Sequence, residues 1–261
     1  MSINFHDTNH ANYDTRKADS HWTTFVKQLI GNQPIELAVD IACGGGIYTN
    51  ALIEVGAKKA VGIDFSEAML KSANQNNGHQ QRIEFLKGEA AQVPLPTHSV
   101  DLILERALIH HLSDYSSAFQ EAYRLIRNGG TFLIQDRLAD DCFLPGSSTH
   151  IRGYFFQRFP HLIDYEKSRR PHHDVIVSAL KNVGFSQITS HTIWEKRKEF
   201  PSKTDLLLDI QNRTGRSLLH ELSDKELSEL VDFIDKSINF DRAIVEKDRW
   251  TIWQAKKATY G

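Results

Sequence analysis

From Ile35 to Leu138 the chain alternates short apolar runs with helical stretches at close intervals, and that rhythm leaves few folds open. The runs are IELAVDIA, KAVGIDF, IEFLKGEA, SVDLILERA and GTFLIQDRL. Three helical stretches separate them. IYTNALIEVGA stops at Gly56, SEAMLKSANQNNG has Ser66 to cap its start and Asn77-Gly78 to end it, and SDYSSAFQEAYRLIRNGG is capped by Ser113 or Asp114. Short strands joined through helices pair in parallel, with helices on both faces of the sheet. After Leu138 the rhythm breaks, and residues 139–171 carry aromatics, prolines and charges without a clear period. HHDVIVSALKNVGF resumes a helix, SQITSHTIWEKRKEF reads as a long strand, and SDKELSELVDFIDKSI is amphipathic with a capping box from Ser223 to Glu226. RAIVEKDRWTIWQAKK closes the chain as an alternating strand. The expected architecture is α/β, a doubly wound, mostly parallel seven-stranded sheet with helical cap insertions. Its expected parts are an N-terminal arm (1–30), a ligand-binding core (31–138), a cap insertion (139–171), and a C-terminal part of the sheet (172–261) with a helical insertion at about 200–240.

Composition excludes several classes. The formal net charge is -2 over 261 residues, and no basic stripe marks a nucleic-acid track. IWEKRKEF is a short basic patch that reads as a solvated strand face. The two cysteines, Cys43 and Cys142, make no disulfide framework and fit a reducing compartment. MSINFHDTNHANYD lacks the basic and apolar regions of a signal peptide, and no apolar run approaches 18 residues. A cytoplasmic monomer or homodimer with no membrane partner is the expectation.

The stretch VDIACGGGIYT asks what approaches its glycines. In an open α/β sheet, ligands bind outside the carboxyl ends of the strands. Read from Gly44, the dinucleotide pattern gives Gly44, Gly46 and then Thr49, where glycine or alanine is wanted. No Gly-Lys-Ser/Thr of a phosphate loop is present. Asp40, at the end of the strand, would repel a diphosphate and suits a cationic or amine-bearing ligand.

These residues resemble the class I S-adenosylmethionine-dependent methyltransferases of Rossmann-like fold. VDIACGGG resembles the family's acid-x-glycine-x-glycine-x-glycine turn, with Ala42 where the first glycine stands. VGIDFSEAML resembles the second motif, GEAAQVPLPTHSVDLILERALIHHL the third to fourth, and LIRNGGTFLIQD the turn into strand five. The likeness covers about residues 36–136. It implies S-adenosyl-L-methionine as cofactor and S-adenosyl-L-homocysteine as product. The turn of Ala42, Cys43 and Gly44, with Asp40 behind, would take the ammonium, and Asp64 the two ribose hydroxyls. Phe65 and Met69 would flank the adenine, and Gly88, Glu89 and Ala90 would meet its edge. The backbone of Glu105 and Arg106 would pass beside the sulfonium. Arg106 or Arg16 would pair the carboxylate, and Tyr13 would belong to an arm over the cofactor.

Methyl transfer needs mainly alignment, and a base only where the acceptor arrives protonated. His110 and His111 are the candidates for that base, since histidine titrates near neutral pH. No metal site is expected, because no third ligand has a suitable spacing. Cys43 has no partner base in the sequence and reads as packing. The cap, with Tyr154, Phe155, Phe156 and Phe159 beside Arg152, Arg158, Arg169 and Arg170, points to a small-molecule acceptor, and the arginines to an acidic one. The alternatives are an RNA- or protein-directed methyltransferase and a non-catalytic cofactor-binding regulator. A nicotinamide dehydrogenase is opposed by Thr49 and Asp40.

Overall fold

The structure is a computed structural model that describes residues 18–77, 80–239 and 241–259. It contains one seven-stranded sheet of order β3-β2-β1-β4-β5-β7-β6. The strands are β1 (Leu37–Ile41), β2 (Lys59–Asp64), β3 (Ile83–Lys87), β4 (Val100–Arg106), β5 (Ile126–Asp136), β6 (Phe185–Phe200) and β7 (Ile244–Lys257). β1 pairs in parallel with β2 and β4, β2 with β3, and β4 with β5, while β7 runs antiparallel to β5. The central strands β1 and β4 are buried almost throughout, whereas β3, at the edge, is half exposed. That is why the central strands read as continuous apolar runs: both of their faces are covered. The chain reverses its order of strand addition between β1 and β4, so their carboxyl ends frame the crevice where ligands of such sheets bind.

The helices of this part are α1 (Ser20–Ile30), α2 (Ile47–Val55), α3 (Glu67–Asn77) and α4 (Ser116–Leu125), with α8 (His173–Val183) further along the chain. α1 starts where Asp19 accepts from the His21 amide at 3.0 Å, and its chain turns away at Gly31 with φ +64°. Its inner face buries Trp22, whose Nε1 donates to Gln135 Oε1 at 2.6 Å. Burying that indole contributes about 4–6 kcal/mol before entropic losses. At α4 the helix is shorter than its sequence reads. It ends at Leu125, and Ile126 already pairs with Val100. The two strands then shift register, so that Leu102 faces Thr131. Asp101 lies at that irregularity and accepts from the Glu36 and Leu37 amides at 2.8 and 2.9 Å. Sheet pairing overrides a helical pattern here because Ile126 is an apolar side chain that only the sheet buries.

The described chain divides into two compact units. One holds residues up to Asp136, His173–His191, and Thr251 onward. The other holds Arg137–His172 and Thr192–Trp250. The second unit contains α5 (Ala139–Cys142), α6 (Arg152–Arg158), α7 (Leu162–Arg169), α9 (Lys203–Gln211) and α10 (Asp224–Ser237). The stretch 139–171, which shows no period in sequence, therefore forms three short helices. Too short for a pattern, they are held by burial of Ile151, Phe155 and Leu162 against Phe200, Leu206, Leu230 and Ile234. Two capping boxes start the longer helices, Ser202 with Asp205 and Ser223 with Glu226.

Candidate active site

The glycine turn is built by backbone geometry. Ala42, Gly44 and Gly46 all have positive φ, at +61°, +52° and +80°. The Cys43 amide donates to Ile63 O at 2.9 Å, and the Gly46 amide returns to Cys43 O at 3.0 Å. α2 then begins at Ile47. The two glycines serve different ends. A Cβ on Gly46 would lie 2.6 Å from Phe85 Cζ and 2.8 Å from Asn77 Nδ2, so internal packing demands glycine there. A Cβ on Gly44 would meet nothing within 4 Å. The turn is open to a visitor at Gly44 and closed at Gly46. Ala42 adopts the left-handed conformation that its methyl group disfavours by about 1–2 kcal/mol.

Asp64 fixes this turn from the neighbouring strand. Its Oδ2 accepts from the Gly44 amide and its Oδ1 from the Ser66 amide, both at 2.9 Å. Each oxygen has a second lone pair to offer, so the carboxylate can hold the turn and bind a pair of hydroxyls together. Phe65 follows immediately and is 55% exposed, an open aromatic face at the strand end. Met69, one turn into α3, is half-buried. The Gly88 amide donates to Asp64 O at 3.1 Å and ties the next loop to the same point. In that loop Glu89 is exposed and exchanges backbone hydrogen bonds with Gln92, and Ala90 is half-buried.

Asp40 is turned toward the protein. Its Oδ2 accepts from Thr49 Oγ1 at 2.7 Å, and the side chain is buried. Burial raises its pKa to about 7, against the opposing pull of the Thr49 hydrogen bond and of Arg106. The threonine that breaks the dinucleotide pattern is thus the residue that holds this acid. The Cys43 thiol is buried, and burial together with Asp40 and Asp64 pushes its pKa far up, so it stays a protonated, inert thiol.

At the end of β4, Arg106 lies over the Tyr48 ring with its guanidinium carbon 4.0 Å from the centroid. Glu105 is fully buried and neither carboxyl oxygen has a hydrogen-bond partner. Burial raises its pKa to about 8. His110 sits in the short 3-10 turn Ile109–His111. Its Nδ1 is 2.8 Å from Asp136 Oδ2 and 3.1 Å from Oδ1, and its amide donates to Oδ2 at 3.2 Å. Asp136 is fully buried at the end of β5. A carboxylate on Nδ1 holds a proton there and leaves Nε2 with its lone pair, the orientation a base requires. The His111 ring lies against that of His110, centroids 4.0 Å apart. Tyr13 and Arg16 lie outside the described residues.

Sequence reading misses Asp136, Thr49 and Tyr48. Asp136 did carry a signal. It ends its strand as Asp64 does, and Asp40 stands one residue before the end of its own, so acids repeat at one edge of the parallel sheet.

Comparison with known proteins agrees with this geometry. Residues 39–134 match the sequence model of the family described as methyltransferase domain. A demethylmenaquinone methyltransferase of Staphylococcus epidermidis is 33% identical over 111 residues, 42% of this chain and 46% of that one. Phosphoethanolamine N-methyltransferase 1 of Zea mays is 26% identical over 89% of this chain and 43% of its own. The chain spans about half the length of the curated relatives it matches. In fold it is similar to an Anabaena variabilis protein described as a methyltransferase from an antibiotic biosynthesis pathway, with TM-score 0.67, 20% identity, and coverage of 92% and 98% of the two chains. It is also similar to phosphoethanolamine N-methyltransferase 2 of Haemonchus contortus, solved with S-adenosyl-L-methionine, with TM-score 0.57, 18% identity, and coverage of 96% and 55%. The domain that frames the glycine turn belongs to the class I S-adenosylmethionine-dependent methyltransferases. No described helix is long and apolar enough to cross a membrane.

Proposed function

We propose that the chain transfers a methyl group from S-adenosyl-L-methionine to a small-molecule acceptor by direct in-line displacement, leaving S-adenosyl-L-homocysteine. The observation that carries this reading is the lock of Asp64 on the Gly44 and Ser66 amides, beside open space at Gly44 and an exposed Phe65. That set fits a nucleoside, with an acid for the ribose and an aromatic face for the base. The cofactor supplies an electrophilic methyl on a sulfonium.

The residues then have definite tasks. Asp64 accepts the ribose hydroxyls through its remaining lone pairs. Phe65 and Met69 flank the adenine, and the loop Gly88, Glu89 and Ala90 meets its amine. Carbonyls of Ala42, Cys43 and Gly44 receive the ammonium. Arg106, held over Tyr48, pairs the carboxylate, with Arg16 and Tyr13 of the arm as further contacts. Asp40 sets the helix start through Thr49 and stands behind the turn. His110, oriented by Asp136, takes the acceptor's proton where it has one to lose, and this contributes about 10²–10⁴-fold. His111 packs on that ring. Alignment of the two reactants supplies the larger share.

The relatives named as demethylmenaquinone and phosphoethanolamine methyltransferases support a small acceptor over RNA or protein. So does the net charge of -2. The two buried free cysteines suit a reducing, cytoplasmic setting.

Calorimetric titration tests the reading. S-adenosyl-L-methionine and its demethylated product bind and NAD does not. Asp64→Ala raises the cofactor's Kd at least tenfold, and an unchanged Kd removes Asp64 from its assigned place.

A further inference from the structure

The stretch between β3 and β4 carries Gly88, Glu89 and Ala90, the candidates for the adenine edge, and it forms no helix or strand beyond the isolated bridge of Glu89 with Gln92. Glu89, Gln92, Pro94, Pro96 and Thr97 are exposed, and Val93 is buried as its apolar anchor. An exposed loop can leave its carbonyls to water. This one is gripped by a helix. Arg124, in the last turn of α4, donates from Nη1 to Leu95 O and Thr97 Oγ1, both at 3.0 Å. Its Nη2 reaches Leu95 O at 3.0 Å and Val93 O at 3.2 Å. Glu121, one turn earlier, accepts from the Val93 amide at 2.7 Å. The two side chains also pair with each other, Arg124 Nε with Glu121 Oε2 and Nη2 with Oε1, both at 2.8 Å. That hydrogen bonding keeps the Glu121 carboxyl below its ordinary pKa, so the pair stays charged.

The grip reaches Glu89 through the backbone. A Cβ on Gly88 would lie 2.8 Å from Pro94 Cδ and 3.3 Å from Gln92 O, so the gripped segment rests on Gly88 itself. The Glu89 amide donates to Gln92 O at 3.2 Å, and the Gln92 amide returns to Glu89 O at 2.9 Å. Glu89 thus stands between two fixed points, Gly88 tied to Asp64 O and Val93 held by α4, while its own side chain is exposed. Joining α4 to β4 does not need the ion pair. The His98 and Ser99 amides already donate to Arg124 O and Leu125 O, both at 2.9 Å. The side chains add a second hold further back along the loop, on the side of Glu89. A carboxylate selects one donor only when its support fixes its position.

We infer that Arg124 and Glu121 are positioning residues that set Glu89 for the 6-amino group of the base, so that preference for an adenine nucleoside is built from α4. The inference rests on the assignment of Gly88, Glu89 and Ala90 to the adenine under the methyltransferase reading.

Calorimetric titration of the full chain tests it with two probes. One is S-adenosyl-L-homocysteine, and the other is its 6-deamino analogue, which has hydrogen in place of the amine. The ratio of their Kd values measures base preference. The wild type favours the adenosyl probe by about tenfold or more, as a hydrogen bond to a charged group provides. Glu89→Ala removes that preference. Arg124→Gln lowers it to about twofold by weakening the adenosyl probe alone, and in the Glu89→Ala background it changes the ratio no further. A ratio that survives Arg124→Gln, whether Tm falls or both probes weaken equally, overturns the inference and leaves the arginine a fastener of the fold. Arg124→Lys covers the case in which Arg124→Gln does not fold. It keeps the charge beside Glu121 but cannot span Val93, Leu95 and Thr97 together, so the ratio falls several-fold, and an undiminished ratio again overturns the inference. A wild type that binds both probes equally overturns it too, while the methyltransferase reading stands. A wild type that binds neither sinks that reading itself.

Discussion

At the glycine turn, charge is held by backbone, and in the second unit charge is held by charge. Asp64 is fixed by two amides that lie within two residues of it or on the adjoining turn, and both of its oxygens are used evenly. Glu166 is fixed by guanidiniums whose residues stand 4 and 14 positions away, and the hydrogen bonds they give it fall on one oxygen. The first arrangement comes from short motifs at strand ends and is rigid before any ligand arrives. The second is assembled from distant parts of the chain and leaves Arg152 Nε and Glu166 Oε2 without a hydrogen bond.

The largest effect that would break this comparison is catalytic. His110→Gln keeps a side chain near Asp136 but offers no base, so turnover of a protonated acceptor falls about 10²–10⁴-fold with cofactor affinity unchanged, as read by kcat against calorimetry. A fall confined to KM would remove His110 from the chemistry. Next comes Glu105, whose environment is opposite to that of Asp64, with no amide offered to either oxygen. Its folded-state pKa of about 8 lies above the ordinary carboxylate value, so the folded chain holds a proton that the unfolded chain releases. The contribution is complete below about pH 4.5 and is lost as pH rises toward 8. Stability therefore falls across that window by up to about 5 kcal/mol. In denaturant titrations Glu105→Gln should remove most of that slope, and an unaltered slope would show that the group ionises with little penalty. Smaller is the contrast between the two glycines. Gly46→Ala meets Phe85 and Asn77 and carries a strained φ, costing about 2–4 kcal/mol. Gly44→Ala carries only the conformational part, about 1–2 kcal/mol, and shows its main loss in cofactor affinity. Equal stability losses at both positions would mean that Gly44 is not open space.

Much of the first unit was legible because its determinants are local. Strand ends, the Ser66 start and the glycine turn each occupy a few consecutive residues. The start of β5 was hidden because Ile126 suits a helix or a strand equally, and its pairing with Val100 decides between them. Three-dimensional pairing also hid the Trp22–Gln135 and His110–Asp136 contacts, since separations of 113 and 26 residues leave no pattern in the chain. The short helices of 139–171 lack enough turns to show a period. The arginines there were visible as residue types. Which of them converge was not, because Arg137 lies before the segment and its partner Asp248 stands 111 residues further along the chain than Arg137.

The two sulfhydryls lie one in each unit, Cys43 in the first and Cys142 in the second, and both are buried, Cys142 fully. A reagent such as iodoacetamide therefore modifies each only when its own half opens. Following the two alkylation rates by peptide mass spectrometry gives a separate clock for the breathing of each half, and a ligand that slows one clock alone reveals which half it grips.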